Sequence, residues 1–261
     1  MEFLEPVNQM ILDNGDYIAS VMAIFVRVSV LAFFLPGIGE TQIPVRGRLI
    51  AAFVITWMIV PPVLARYDVD TTSAATITAA FFAEAFSGFI LGFAFRVMIW
   101  VLQMAGTIIA QAMSLSQLLG STSEEPNTTI SSILILAGTA LAVSMDLHIE
   151  AIRVLIQSYD TFALGQFADT DTAAYWSLQR CAEAFSFALA LSLPFVILNF
   201  IYNVMLGAIS RAMPQLMVAF VGIPAITGAG LLLFFLCATT ILTVWAGGFS
   251  SVLDDIIAMG R

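Results

Sequence analysis

The sequence predicts an all-α protein of the membrane type, built from long hydrophobic helices. Hydrophobic residues make up 60% of the chain and charged residues only 10%, whereas an ordinary soluble domain is about 45–50% apolar and about 25% charged. A compact soluble fold could not bury so much apolar surface, because roughly a quarter of it would stay in water. The surplus must therefore face lipid or other hydrophobic chains.

Seven apolar stretches follow one another along the chain, and each is expected to form a helix. A bilayer span needs about 20 apolar residues, so the first two stretches fit one crossing each, the third is too long for an upright crossing, and the fourth is too short. Pro194 and Pro224 interrupt the last two stretches and predict kinks or breaks there. The stretches are residues 17–35, 47–65, 77–112, 130–145, 151–164, 181–208 and 216–249.

The charge balance excludes several classes of partner. The chain has no lysine, and its nine arginines stand against eighteen acids, which argues against binding to nucleic acid or to anionic lipid head groups. The acidic N-terminal segment lacks a basic region, so it is not expected to be a cleavable signal peptide. Cys181 and Cys237 lie in apolar segments, where packing is the expected role rather than a disulfide or a metal pair.

The arginines give no orientation across a membrane. If six helices crossed, Arg46, Arg48 and Arg211 would fall on one side, and Arg66, Arg180 and Arg261 on the other. The positive-inside rule then decides nothing. Two explanations stay open at this point: nine arginines are too few for the rule, or these helices are not conventional spans.

Arg27 lies in the middle of the first apolar stretch. On a helix it shares a face with Asp16, Ser20 and Ala23. An isolated arginine in lipid costs at least about 2.5–3.5 kcal/mol, so it needs an acidic partner, a carbonyl or water. A structural ion pair between helices is the favoured interpretation, and a pore-lining or gating role is the alternative.

A second charged pattern lies in the third stretch, where Ala80, Glu84, Gly88, Gly92 and Arg96 are spaced four apart and form one ridge. The two glycines allow another backbone to approach closely. Glu84 and Arg96 cannot pair with each other, because they are about 18 Å apart along the axis. The ridge predicts tight helix packing, within the chain or between chains, rather than ion conduction.

The segment after the fourth stretch is more polar. Asp146, Glu150 and Arg153 share a helix face, and Glu150 and Arg153 can pair locally. His148 points away from them, and a lone histidine cannot build a metal site. The usual catalytic and phosphate-binding motifs are absent from the sequence. We therefore predict neither enzymatic activity nor a cofactor or metal.

Two loops and one irregular segment complete the pattern. The loop LPGIGETQIPVRGR at 35–48 ends the first helix and starts the second. The loop at 210–216 joins the last two helices. The stretch MAGTIIAQAMSLSQLLGSTSEEP at 104–126 begins as helix and continues with small, Ser- and Met-containing residues. It is either a solvated connection or a flexible segment that lines or blocks a passage.

Both loops carry a resemblance to a known family. Phe25-x-Arg27 followed by LPGIGETQIPVRGRLIAAFVIT resembles the N-terminal signature of the FliR family, the flagellar type III export-gate proteins related to the equivalent virulence-system subunit. The segment LGAISRAMPQLMVAFVGIPAITGAGLLL is similar to the family's C-terminal signature. Together the signatures and the order of elements cover essentially the whole chain. The matching C-terminal positions are Arg211, Pro214, Gln215, Gly222 and Pro224.

Two positions depart from the family pattern. Glu125-Pro126 stands where the family often has Asp-Pro, and Ala225-Ile226 stands where many members carry a lysine. No charge-dependent role is assigned at either position.

The resemblance implies a specific assembly. One FliR-like subunit joins several FliP and FliQ copies in a closed helical complex of bent hairpins, with FlhB at its base and FlhA as a further export component. The complex belongs to the basal body in the bacterial inner membrane, and part of it projects to the periplasmic side. Residues of about 1–180 would correspond to FliP and a hairpin of about 181–261 to FliQ, within a single export-gate domain.

The resemblance also implies roles for residues. Unfolded flagellar proteins would pass through the channel, and buried charges such as Arg27, Glu84 and Arg96 would meet partners in neighbouring subunits. The expected plug residues are Gly106, Gln111, Met113, Ser114, Leu115, Ser116, Gln117, Leu118, Leu119 and Gly120. The expected assembly residues are Arg27, Pro36, Gly37, Pro44, Arg46, Glu84, Gly88, Gly92, Arg96, Arg211, Pro214, Gln215, Gly222 and Pro224.

A small-molecule or ion secondary transporter is the alternative function, because broken helices with charges at mid-membrane are expected there too. A transporter should show two similar halves, and the sequence shows none. A membrane-bound enzyme ranks last, because no catalytic constellation is present.

Overall fold

The computed structural model describes residues 15–39, 43–67, 73–113, 128–167, 170–212 and 218–258, and within these ranges the regular structure is α-helical, without a strand. The prediction of an all-α protein is therefore confirmed. The helices are α1 (Gly15–Phe34), α2 (Val45–Leu64), α3 (Ala74–Ala112), α4 (Thr129–Ser144), α5 (Leu147–Thr161), α6 (Thr170–Ala212) and α7 (Val218–Ala258).

Five of these helices, α1, α2, α3, α6 and α7, are long and apolar enough to cross a membrane. The bent pair α4–α5 gives a sixth candidate if it is counted as one span. Helix α3 has 39 residues and is about 58 Å long at 1.5 Å per residue, which exceeds the hydrocarbon thickness of about 30 Å. The third apolar stretch is thus too long for one upright crossing, as the sequence predicts.

Glycine and proline set the first helix boundaries. Helix α1 ends before Pro36, and Gly37 has a φ of +89°, in the left-handed region that suits glycine. Pro44 is extended, with φ −60° and ψ 144°, and α2 begins at the next residue. Backbone N–H groups of Gly47 and Arg48 donate to the Pro44 carbonyl. Pro44 therefore precedes the first turn, where a proline costs no helical hydrogen bond.

A sharp bend separates α4 from α5. The two helices are inclined by 70°, and Asp146 between them has a φ of 59° in the left-handed region. The amide N–H groups of Ile149 and Glu150 donate to the Asp146 carbonyl and start the new helix. The polar cluster that follows the fourth apolar stretch thus coincides with a break in the helix.

Of the kink or break predicted at Pro194 and Pro224, a break is excluded, because both prolines lie inside the continuous helices α6 and α7. Each proline removes one backbone N–H donor. In apolar surroundings a full break would leave further backbone groups without water or partners, so the helix continues on both sides. A kink at either proline stays a prediction.

The chain divides into two compact units. The first comprises residues 1–96, 143–179 and 250–261, and the second comprises 97–142 and 180–249. In the first unit, α1 packs against α2 through the rings of Phe25 and Phe53, whose centroids are 6.5 Å apart. Helix α1 also packs against α3 through Phe34 and Phe89, with centroids 5.4 Å apart. Helix α1 thus packs against two other helices of its own unit.

In the second unit, α6 and α7 form an antiparallel pair. Contacts that advance along α6 move backwards along α7, in the order Phe187–Gly248, Phe195–Phe234 and Tyr202–Gly222. Helix α7 also reaches α3, because the indole N–H of Trp245 donates to the Met98 carbonyl at 2.8 Å and the hydroxyl of Thr227 donates to the Met113 carbonyl at 2.9 Å. The correspondence of this pair to FliQ stays a prediction.

Candidate functional site

A buried ion pair joins α1 to α3 in the first unit. Arg27 Nε donates to Glu84 Oε2 at 2.7 Å, and Arg27 Nη2 donates to Glu84 Oε1 at 2.9 Å. Both side chains are 0% exposed. The two parallel bonds match the planar fork of arginine to the two carboxylate oxygens. The predicted ion pair between helices is present.

Two further donors of Arg27 bind the end of α5. Its Nη1 donates to the Ser158 hydroxyl at 3.0 Å, and its Nη2 donates to the Phe162 carbonyl at 2.9 Å. The guanidinium carbon lies 3.9 Å from the centroid of the Tyr159 ring, which is a cation–π contact. Arg27 therefore binds α3, α5 and the turn after α5 at the same time.

Glu84 is held from the same turn. The backbone N–H of Gly165 donates to Glu84 Oε1 at 2.9 Å. Gly165 has a φ of +76°, where a side chain would be strained. Because each charged group has an opposite charge and further hydrogen bonds, the cost of burying it is offset. We name Arg27, Glu84, Ser158, Tyr159 and Gly165 the charged centre.

The charged centre corrects one expectation from the resemblance. Arg27 and Glu84 form an ion pair within one chain, so the expectation that they pair with neighbouring subunits is wrong. The sequence indicated that each needed a partner, but they are 57 residues apart, and neither spacing nor periodicity connects them. Arg96, at the far end of the same ridge, is half-buried, and its role in assembly stays a prediction.

The two glycines of the ridge lie directly against α1. A β-carbon placed on Gly88 would be 2.6 Å from the Arg27 carbonyl oxygen, and one placed on Gly92 would be 2.7 Å from the Phe34 β-carbon. Such a close approach is possible only without a side chain. The predicted tight packing is thus present within the chain, and α1 is the helix that makes it.

The chemistry of the charged centre is that of a structural joint. Its guanidinium donates four hydrogen bonds, its carboxylate accepts three, and both groups are shielded from solvent, so neither is placed to act on a substrate. Ser158 itself donates to the Leu155 carbonyl at 2.7 Å. Among the residues that the structure describes, no group of three or more His, Cys, Asp or Glu side chains could hold a metal ion.

The sequence did not indicate Ser158, Tyr159, Phe162 or Gly165. Phe162 and Gly165 contribute backbone groups, and the sequence does not reveal which backbone groups make hydrogen bonds. Ser158 and Tyr159 lie on α5 next to the polar residues Gln157 and Asp160, so nothing in the local pattern singles them out. The local Glu150–Arg153 pair was predicted and is confirmed, with Nη1 and Oε1 2.8 Å apart.

A second, exposed ion pair lies at the C-terminal end of α2. Arg66 Nη1 is 3.6 Å from Asp160 Oδ1, and the side chains are 63% and 48% exposed. The Tyr67 hydroxyl donates to the same carboxylate oxygen at 3.1 Å. Partial desolvation raises the pKa of Tyr67, and the hydrogen bond to Asp160 raises it further by a smaller amount.

The predicted plug lies only partly within the described residues. Gly106 of α3 packs against Ser131 of α4, Gln111 is exposed, and Met113 is buried at the end of α3. Gly230 of α7 provides the space for the Met113 side chain. The other predicted plug residues lie outside the described residues: Ser114, Leu115, Ser116, Gln117, Leu118, Leu119 and Gly120.

The signature residues of both loops lie at helix ends or contacts. Pro36 is buried and Arg46 is exposed on either side of the α1–α2 turn. Arg211 is exposed in the last turn of α6. Gly222 of α7 lies under the Tyr202 hydroxyl. Pro214 and Gln215 lie outside the described residues, and the predicted assembly role of the whole set stays a prediction.

Comparison with known proteins identifies the family. The family model described as bacterial export proteins, family 1, matches residues 18–252. The flagellar biosynthetic protein FliR of Caulobacter vibrioides is 28% identical over 240 residues, which cover 91% of this chain and 95% of that protein. The proteins of the same name from Bacillus subtilis and Escherichia coli are 23% and 26% identical, and they cover 92% and 89% of this chain, respectively. The resemblance to the FliR family is thereby confirmed, and this chain belongs to the bacterial export proteins, family 1.

Proposed function

We propose that this chain is a subunit of the flagellar type III protein export gate and forms part of the channel through which unfolded flagellar proteins cross the inner membrane. The observation that carries this proposal is the match over nearly the full length of both this chain and proteins named flagellar biosynthetic protein FliR. A partial match could reflect one shared element, whereas this one includes nearly all of the predicted spans.

The distribution of buried surface supports a role in an assembly. In an apolar stretch of 18 residues, 67% of α3 is buried, but only 28% of α6 and 22% of α7. The exposed side chains of α6 and α7 include large apolar ones such as Phe185, Phe200 and Phe235. These faces need lipid or other apolar chains around them. FliP-like, FliQ-like, FlhB-like and FlhA-like chains are the proposed partners.

We further propose that the chain has no catalytic role and works in the basal body of the inner membrane, with part of it on the periplasmic side. The charged centre supports the first statement, because its guanidinium and carboxylate are engaged in holding helices together. The two long helices α3 and α6 support the second. Helix α6 has 43 residues and is about 65 Å long, which is about twice the hydrocarbon thickness.

The segment at 106–122 is the proposed plug of the channel. Its uncharged, small and Met-containing composition supports this role. Deletion within 113–120 should loosen the closed state, and leakage of a small dye into cells that express the whole complex measures the change. Unchanged leakage would remove the plug assignment.

The function is tested by removing the gene from the bacterium that carries it. Cells without the chain should neither swim nor secrete hook and filament proteins, and the wild-type gene on a plasmid should restore both. A variant with the substitution Arg153→Leu serves as the matched control, because Arg153 is exposed and does not belong to the charged centre. It should also restore swimming and secretion. Normal secretion in cells without the chain would contradict the proposal.

A further inference from the structure

The C-terminal end of α3 is held by another helix of the second unit. The backbone N–H of Met113 donates to the Ile109 carbonyl at 3.0 Å and completes the last helical turn. The carbonyl groups of a last turn lack partners within the helix, and a helix end without further contacts frays. Here the Thr227 hydroxyl of α7 donates to the Met113 carbonyl at 2.9 Å. The last turn of α3 is therefore fixed from α7.

The bond from Thr227 connects two helices, whereas many hydroxyl groups of this chain bond within one helix. Thr56 and Thr107 donate to carbonyl groups four residues earlier in their own helices, which is a common local pattern. The Thr227 bond joins residues 114 positions apart, and both of them are buried. Without this bond, the Met113 carbonyl would lose a partner in a place that water does not reach.

Gly230 makes the second contact with the end of α3. It follows Thr227 by three residues, so both lie on one face of α7. A β-carbon placed on Gly230 would overlap Met113 Cγ, and it would be 3.1 Å from Met113 Cε and 3.2 Å from Met113 Cβ. Nothing lies within 4 Å of a β-carbon placed on Gly228. Gly230 thus leaves the space for the Met113 side chain, which is 1% exposed, and Gly228 has no such contact.

The chain meets α3 again at the start of α4. The Thr128 hydroxyl donates to the Gly106 carbonyl at 3.5 Å, and the Ser131 hydroxyl donates to the Gln103 carbonyl at 3.2 Å. Gly106 and Met113 are seven residues apart, which is about 10 Å along the helix. At this second end α3 and α4 hold each other, whereas the Met113 end depends on α7.

We propose that Thr227 and Gly230 are positioning residues of the plug, which fix the Met113 end of α3 and thereby hold the channel closed. The inference rests on the proposed function, because the plug is assigned there. Met113 is the residue at which the chain leaves α3, so its position and the direction of its carbonyl set where the following residues begin. Helix α7 fixes both, through the space above Gly230 and the Thr227 hydroxyl.

Gly230→Ala tests the space for Met113. The added methyl group overlaps atoms near the base of the Met113 side chain, so the end of α3 must move. Leakage of a small dye into cells that express the whole complex should rise about tenfold, when it is normalised to the amount of chain in the membrane. Gly228→Ala, two residues away on the same helix, is the matched control and should keep the wild-type leakage. Equal leakage in the two variants would overturn the proposal.

Shortening Met113 tests whether the two residues act through their contact. Met113→Ala removes Cγ and the atoms beyond it, which are in the way of the new methyl group. The double change Gly230→Ala with Met113→Ala should therefore leak less than Gly230→Ala alone. A double variant that leaks as much as Gly230→Ala, or more, would overturn the proposal.

The Thr227 hydroxyl is tested by two substitutions that differ only in hydrogen bonding and size. Thr227→Val keeps the shape but removes the donor, and its leakage should rise about tenfold. Thr227→Ser keeps the donor and should stay near the wild type. This pair also decides the matter if Gly230→Ala does not accumulate in the membrane. Equal leakage in the valine and serine variants would overturn the role of the hydroxyl.

The deletion within 113–120 separates this inference from the proposed function. If the deletion raises leakage but Gly230→Ala and Thr227→Val do not, the plug stands and the positioning role fails. If neither the deletion nor the substitutions raise leakage, the plug assignment fails and the positioning role fails with it. If only the substitutions raise leakage, the contact closes the channel without the plug, which also overturns the positioning role.

Discussion

Two of the ion pairs in the first unit, Arg27–Glu84 and Arg66–Asp160, differ in almost every physical respect. The Arg27–Glu84 pair is fully buried, bidentate and surrounded by further hydrogen bonds. The Arg66–Asp160 pair is at least half exposed on the arginine side and has one contact of 3.6 Å. Only the buried pair is out of reach of water, so only there does loss of one partner leave a charge without any compensation.

The comparison shows which charged residues stabilise the fold of a hydrophobic chain. An exposed ion pair contributes about 0–1 kcal/mol, because water solvates either partner when the other is removed. A buried charge that loses its partner costs about 3–5 kcal/mol. The charged centre thus acts as a joint between α1, α3 and α5, whereas the pair at the end of α2 acts as a minor surface contact.

Arg27→Leu should have the largest effect, because it leaves the Glu84 carboxylate buried without its counter-charge. We expect a loss of about 3–5 kcal/mol in the free energy of unfolding, measured by SDS titration of the chain in mixed micelles. Arg153→Leu is the matched control and should change stability by less than about 1 kcal/mol. An equal loss in both variants would remove the distinction between buried and exposed charges.

Ser158→Ala should have the next largest effect. It removes a hydrogen bond to the Arg27 guanidinium, and bonds to charged groups contribute about 1.5–3 kcal/mol. The control is Ser186→Ala, because Ser186 is exposed and bonds only to the Ala182 carbonyl of its own helix. The same titration measures both. If the two alanine variants are equally stable, the Ser158 bond to Arg27 does not stabilise the joint.

Gly88→Ala tests the close approach of α3 to α1. The added methyl group would meet the Arg27 carbonyl oxygen, so the helices must separate, and overpacking of this kind costs about 1–3 kcal/mol. Gly207→Ala is a control of opposite sign. Nothing lies within 4 Å of a β-carbon there, and alanine favours a helix over glycine by about 0.5–1 kcal/mol. Stabilisation by both changes would contradict the close contact.

Asp160→Asn should have the smallest effect, about 0–1 kcal/mol. The loss should also shrink further at high salt, because an exposed pair is screened by mobile ions. Repeating the titration at low and high ionic strength measures this. A loss of several kcal/mol that salt does not change would show that the Arg66–Asp160 pair behaves like the buried one.

Local features of the fold could be read from the sequence. Each of the seven apolar stretches became one helix, because the length and composition of such stretches are local properties. Pro36, Gly37 and Pro44 marked the first turn correctly, since their effect on the backbone is local too. The Glu150–Arg153 pair was predictable for the same reason, as three residues along a helix bring two side chains together.

Features that depend on distant parts of the chain could not be read in this way. The sequence indicated that Arg27 requires a partner, but only the packing of α1 against α3 determines that this partner is Glu84. Gly88 indicated a close neighbour without identifying α1. Pro194 predicted a kink or a break because its local effect is unfavourable, whereas the apolar environment of the whole helix keeps the helix continuous. Burial and partner choice are properties of the tertiary structure.

The most direct test of this account is the coupling free energy between Arg27 and Glu84 in the chain alone. Arg27→Leu, Glu84→Leu and the double variant are unfolded by SDS without any other polypeptide present. Because the double variant has no unpaired buried charge, its loss should be smaller than the sum of the single losses by more than about 1 kcal/mol. Losses that add within about 0.5 kcal/mol would show that the two residues do not pair inside one chain, and the account would be wrong.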